Sequence, residues 1–281
     1  MKPSATVAIV VILVLLAIFY FGPAFRGEIQ VSPDFYFGPV RLHWYGVLMA
    51  AAILASFTIA RRGASAFGLR AETVEAVLPW LVLGGLIGGR LYYVGFYWEY
   101  FSTHPGEILA FWRGGLAIYG AMAGGALSLL LFAKKRRLPG FLFFDLAALA
   151  LPLGQAIGRF GNFFNSEAFG SPTNLPWKMF VSEWARPVQY LTTNFFHPTF
   201  LYETMWDFAV FLILLYLSRR TLRAGALIGS FLILYPLGRF FIEGLRVDSF
   251  FAGGVRVDQV TSLLFMLAGA FIILRLNHNE S

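Results

Sequence analysis

The chain has 281 residues, of which 58% are hydrophobic and 13% charged, with a formal net charge of +7. Soluble domains carry roughly 25% charged residues, so the deficit excludes a domain surrounded by water. The positive balance then reads as loop-end cations facing anionic lipid rather than as a nucleic-acid surface. Absence of cysteine excludes disulfides, a thiolate nucleophile and cysteine metal sites.

The first 22 residues hold Lys2 and an apolar run from Ala5 to Phe21. That run is long for a signal-peptide core, and Phe-Gly-Pro-Ala-Phe at 21–25 lacks a small-residue cleavage site. It reads as a retained span. A crossing helix needs about 20 apolar residues. Further spans are expected at 43–60, 73–96, 115–133, 141–158, 200–218, 225–243 and 258–275. The expected fold is an all-α polytopic membrane protein with about eight transmembrane helices and a small extracytoplasmic cap over 170–197.

Arg61, Arg62 and Arg70, then Lys134 to Arg137, then Arg219, Arg220 and Arg223 fall in alternate connections. Lys2 and Arg275 flank the two ends. The positive-inside rule makes that face cytoplasmic, with both termini on it. Tyr36, Trp44, Tyr97, Trp98, Tyr100, Trp112, Trp177 and Trp184 are expected as headgroup-level anchors on the opposite face.

Arg90, Arg159 and Arg239 fall within or at the ends of spans, where a cation is costly and marks function. All three are expected in one layer near the non-cytoplasmic side. In GQAIGRFGNFFNSEAFG, 154–170, a continuing helix places Arg159, Asn162 and Ser166 on one face. Asn165 and Glu167 are then directed elsewhere, towards a neighbouring helix. In YPLGRFFIEGLR, Tyr235, Arg239, Glu243 and Arg246 form one helical stripe. HPTFLYE places His197, Tyr202 and Glu203 at a helix start, and RLHWYG places His43, Trp44 and Tyr45 at an interface. For both, simple helix-start or belt chemistry stands beside a functional role. Small residues four apart in GGLIGGRLYYV and GLAIYGAMAGG favour helix contact. Arginine forks, amides and a carboxylate at one face fit an anionic phosphate headgroup. The four histidines lie far apart, and no phosphate-binding Gly-Lys-Ser/Thr loop is present.

GRFGNFFNSEAFG, 158–170, resembles the signature of the phosphatidylglycerol–prolipoprotein diacylglyceryl transferases, Gly-Arg-x-Gly-Asn-Phe-apolar-Asn-x-Glu-x-x-Gly, at every specified position. HWYG at 43–46, GGR at 88–90, HPTFLYE at 197–203 and GRFFIE at 238–243 also resemble that family, in its order. The resemblance runs from about residue 35 to the C-terminus. It implies a seven-helix core over 35–281, with residues 1–34 an extra N-terminal span and connector, expected to be dispensable for the chemistry. It implies transfer of the diacylglyceryl group of phosphatidylglycerol to the lipobox cysteine of a secreted precursor, releasing glycerol phosphate. No cofactor, metal or nucleotide is implied. The partners are membrane lipid and the prolipoprotein peptide, with no nucleic acid. The setting is the bacterial cytoplasmic (inner) membrane, with the site on its outer face.

By the same resemblance, Arg159 and Arg239 clamp the phosphate and Asn162 holds glycerol or phosphate oxygens. Gly170 permits close approach, Glu243 holds Arg239, and Tyr45 and Tyr235 orient the headgroup. His43, Arg90, Glu167, His197 and Glu203 complete the expected substrate site. Tyr119 stands where some relatives carry a histidine proposed as thiol base. A phenol of pKa about 10 is a poor base at neutral pH. A phospholipid transporter or scramblase is the alternative class, but it calls for polar residues in both membrane halves.

Overall fold

The computed structural model describes Leu15 and residues 17–111, 114–220 and 223–278. The chain is an all-α, multi-pass membrane protein by its helices. They are α1 Gly22–Arg26, α2 Trp44–Gly63, α3 Ala71–Phe96, α4 Trp98–Thr103, α5 Ile118–Arg136, α6 Gly140–Phe164, α7 Thr199–Leu217, α8 Ala226–Glu243 and α9 Val257–His278. Three two-stranded antiparallel hairpins punctuate them: β1 Asp34–Phe37 with β2 Val40–His43, β3 Met179–Phe180 with β4 Phe195–Phe196, and β5 Phe251–Ala252 with β6 Val255–Arg256.

Six helices among the described residues are long and apolar enough to cross a membrane: α2, α3, α6, α7, α8 and α9. The expected span at 115–133 is the helix α5, which is not among the six; its last turn is Lys134, Lys135 and Arg136. Most of the expected 5–22 span lies outside the described residues. Only 6% of the apolar window in the helix beginning at Trp44 is buried. So large an apolar surface left outside the core suits a helix that faces lipid.

Two compact units make up the chain. One comprises Ser56–Leu151, Ile213–Phe231 and the residues from Phe271 on. In it α3 and α5 meet through glycine. A Cβ on Gly124 would stand 2.1 Å from the Gly84 carbonyl oxygen, and one on Gly88 would stand 2.3 Å from that of Gly120. The two backbones therefore touch, as the small-residue spacing leads one to expect. Arg90 fastens the following loop. Its guanidinium donates to the carbonyls of Glu107 (2.6 Å), Ile108 (2.8 Å), Gly114 (2.8 Å) and Gly115 (3.0 Å). Buried Asp145 accepts the backbone N–H groups of Gly225 (2.6 Å) and Ile228 (2.8 Å), serving the exposed donors at the start of α8.

The other unit comprises the residues up to Ala55, Pro152–Leu212 and Leu232–Ala270. Its core is aromatic. Phe163, Phe164, Phe169, Phe196 and Phe200 are buried with Ala24, Met179 and Val181. Phe21 and Phe25 pack on Phe163, with ring centroids 5.1 Å and 6.0 Å away. Residues 20–25 thus belong to the core that holds the end of α6, which narrows the expectation that everything before residue 35 is dispensable. Trp44, expected as a membrane anchor, instead stacks on Phe164 at 4.9 Å and 21°. Tyr36, Tyr97, Trp98, Tyr100, Trp177 and Trp184 are exposed, and Trp112 lies outside the described residues.

The glycine seam gives a direct test. Gly124→Ala should lower stability by about 1–3 kcal/mol, since the added methyl must push two backbones apart. Gly95→Ala, on the same pair of helices but with nothing within 4 Å of its Cβ position, should not. Thermal unfolding of both variants in detergent measures the difference.

Candidate active site

The helix α6 runs past the expected end at 158 to Phe164, so Arg159 and Asn162 are helical. It then breaks abruptly. Ser166 (φ 52°) and Ala168 (φ 55°) occupy the left-handed region without being glycine. Such strain costs about 1–3 kcal/mol per residue and gathers at functional sites. Ser166 therefore leaves the face it was expected to share with Arg159. The turn also carries Glu167 back onto its own segment. Its Oε1 accepts from Asn162 Nδ2 at 2.9 Å and from Asn165 Nδ2 at 3.3 Å. The expectation that Asn165 and Glu167 look to another helix is thus corrected.

Gly170 is needed by the chain itself. A Cβ there would stand 2.8 Å from His197 Cβ, 2.9 Å from Thr199 Cγ2 and 3.1 Å from the Leu245 carbonyl. The Gly170 N–H bonds the His197 carbonyl at 2.9 Å, and Gly170 bridges to Arg246. The close approach is between three segments of this protein, which seats α7 and the turn after α8 against the signature loop. Gly161 likewise lies against the Tyr45 ring, which a Cβ would meet at 2.5 Å.

Glu203, one turn into α7, is the centre of the site. Its carboxylate receives Arg159 Nη2 at 2.5 Å, Arg239 Nη1 at 2.6 Å and Arg246 Nη1 at 3.3 Å. Arg239 also meets Glu243 at 2.7 Å and Asp258, at the start of α9, at 2.5 Å. Arg246 lies beyond the end of α8, off the expected stripe, yet its main chain turns so that its fork grips Asp248 at 2.7 and 2.9 Å. Arg159 approaches Asp207 at 4.0 Å and the Tyr235 hydroxyl at 3.5 Å. The side chain of Arg159 is 21% exposed, whereas that of Glu203 is 4% exposed. An anion reaching this site meets guanidinium first. The carboxylates behind fix the forks in place.

Burial lowers the pKa of His197. Trp177 Nε1 donates to the Tyr202 hydroxyl at 2.7 Å, and that hydroxyl lies 3.1 Å from His197 Nδ1. If the phenol passes its own proton along that line, the ring proton stands on Nε2. His43 pairs with Asp34 across the β1–β2 hairpin, as does Arg41. Arg90 and Tyr119 belong to the other compact unit: Arg90 is bound by carbonyls, and Tyr119 sits 42% exposed in the first turn of α5.

Asp207, Asp258 and Arg246 were not singled out from the sequence as site residues. A carboxylate in an apolar span was the available signal for Asp207, which lies four residues after Glu203 and so on the same helical face.

Removing Glu203 would leave three guanidinium groups without their common acceptor. Glu203→Ala should therefore cost about 3–5 kcal/mol of stability. Asp248→Ala, whose carboxylate is 45% exposed, should cost less than about 1 kcal/mol. Unfolding midpoints of the two purified variants decide this.

A family model described as prolipoprotein diacylglyceryl transferase matches residues 34–275. Relatives named phosphatidylglycerol–prolipoprotein diacylglyceryl transferase are similar over most of their length. The protein from Synechococcus elongatus is 44% identical over 83% of this chain and 82% of its own. That from Acaryochloris marina is 46% identical over 81% and 84%, and that from Fervidobacterium nodosum is 41% identical over 96% and 95%. With Arg159 of the signature sharing the Glu203 carboxylate with Arg239, the chain belongs to the prolipoprotein diacylglyceryl transferase family.

Proposed function

We propose that this protein transfers the diacylglyceryl group of phosphatidylglycerol to the cysteine thiol of a prolipoprotein, the first step of lipoprotein maturation. The observation that carries the site assignment is the pair Arg159 and Arg239, reaching one buried carboxylate from two helices. Sulfur attacks the lipid's glycerol carbon, the carbon–oxygen bond to phosphate breaks, and a thioether forms. The thiol proton balances the departing glycerol phosphate. Charge grows on the leaving phosphate oxygen, and guanidinium groups already fixed by carboxylates meet it without reorganising.

In this reading Arg159 and Arg239 hold the phosphate, Asn162 holds headgroup oxygens with Glu167 orienting its amide, and Glu243 and Glu203 aim the arginines. Tyr45 and Tyr235 border the headgroup, and His197 supports the site through Tyr202. The setting is the bacterial inner membrane with the site on the outer face. The basic clusters support that orientation: Arg61, Arg62 and Arg70, then Lys134 to Arg137, then Arg219, Arg220 and Arg223 fall in alternate connections, as the positive-inside rule requires of the cytoplasmic face. Residues 1–34 then precede the 35–281 transferase region, with residues 20–25 packed into its aromatic core, and 170–197 form a cap on that outer face.

Purified protein with labelled phosphatidylglycerol and a lipobox peptide should give lipidated peptide and glycerol phosphate. Lipid movement without product would favour a transporter instead. Arg159→Lys and Arg239→Lys should each lose about 10²-fold or more in rate, because a point charge replaces a planar fork. Near-normal turnover in both would remove the arginines from the phosphate.

Tyr119→Phe should retain more activity than Arg159→Ala. A general base typically contributes about 10²–10⁴-fold, whereas the arginine contributes both binding and leaving-group stabilisation. Initial rates at saturating lipid over several pH values make the comparison. Equal loss in two folded, lipid-binding variants would make the phenol an obligatory proton carrier.

A further inference from the structure

Arg159, Arg239 and Arg246 face three enclosed carboxylates, Glu203, Asp207 and Glu243, and the more exposed Asp258 and Asp248 add two further negative charges at the rim. A phosphodiester arriving at Arg159 and Arg239 adds one negative charge to a water-poor region, where an uncompensated charge is costly. The three carboxylates are not held equally. Glu203 has guanidinium nitrogens at 2.5, 2.6 and 3.3 Å, and Glu243 has Arg239 at 2.7 Å. Asp207 has Arg159 Nε at 4.0 Å. Its side chain is 2% exposed, and at 4.0 Å the guanidinium is too far to donate a hydrogen bond. The groups facing it are Arg159 on α6, Glu203 on its own helix, and Tyr235 and Arg239 on α8. If Arg159 turns its fork towards a phosphate, Asp207 loses its nearest cation and keeps an anionic neighbour in Glu203.

We propose that Asp207 takes up one proton from solvent as the anionic lipid headgroup binds, so that the cluster gains no net negative charge when the phosphate is in place. This rests on the assignment of the arginine pair to phosphate. Asp207 is a charge-compensating residue that acts through Arg159 and does not touch the lipid. No covalent bond changes in the step. The sign follows from linkage: binding that requires a proton weakens as protons become scarce. Affinity for phosphatidylglycerol should fall about tenfold per pH unit wherever Asp207 is ionised in the free protein and protonated in the complex.

Calorimetric titration of the detergent-solubilised full chain with short-chain phosphatidylglycerol, in two buffers of different ionisation enthalpy, counts the protons. About one should enter per lipid bound, and none with a diacylglycerol lacking phosphate. Asp207→Asn should bind phosphatidylglycerol with no uptake and with an affinity independent of pH. Should that variant not fold, the infrared difference spectrum of the wild type carries the same information. A protonated-carboxyl band should appear on lipid binding, and Asp207→Glu should shift it. Wild-type binding without proton uptake, uptake that persists in Asp207→Asn, equal uptake with the uncharged lipid, or a band that Asp207→Glu leaves unmoved would each overturn the proposal. Failure of the wild type to bind phosphatidylglycerol at all would sink the phosphate-site reading itself.

Discussion

One carboxylate makes this site possible. Three arginines in an apolar setting repel one another and resist leaving water, so no arrangement of helices holds them unless an anion sits among them. Glu203 is that anion. Its position one turn into α7 fixes where α6 and α8 must present Arg159 and Arg239. The loop after α8 must then deliver Arg246 from a third direction. Once those contacts are set, the surrounding main chain has little freedom. Gly170 has to be glycine because α7, the signature loop and the end of α8 converge on Glu203.

The same constraint explains why the site looks electrically quiet although it is meant to receive an anion. Preorganised guanidinium groups must be paid for in the resting protein by carboxylates. The cost of that arrangement is that each incoming negative charge disturbs a paired set. Exposure resolves part of the conflict: the arginines keep an edge towards the surroundings, while Glu203, Asp207 and Glu243 are almost wholly enclosed.

Much of this was legible in the sequence. The helices follow from apolar length, and the glycine seam of α3 and α5 follows from spacing. Arg159 and Arg239 stand out as cations in spans. What escaped did so for identifiable reasons. Glu203 is in the site that the resemblance implies, but its role as common acceptor is not local, since its three arginine partners come from distant segments. Asp207 lies among apolar neighbours in α7, and no motif marks it. The fold-back of Glu167 onto Asn162 depends on left-handed Ser166 and Ala168, and non-glycine residues give no local sign of such a turn. Trp44 was taken for a belt residue because composition cannot tell an exposed indole from one stacked on Phe164.

The glycine seam has a consequence for assembly. Contact between the backbones of α3 and α5 freezes almost no side-chain rotamers, so its entropic cost is small. The two helices are also close in the chain, which keeps the loop-closure cost low. A pair that is both local and cheap to order can dock early, before later segments have been synthesised. The protein then acquires a rigid element early, while residues such as Glu203 and Arg239 have yet to emerge from the ribosome.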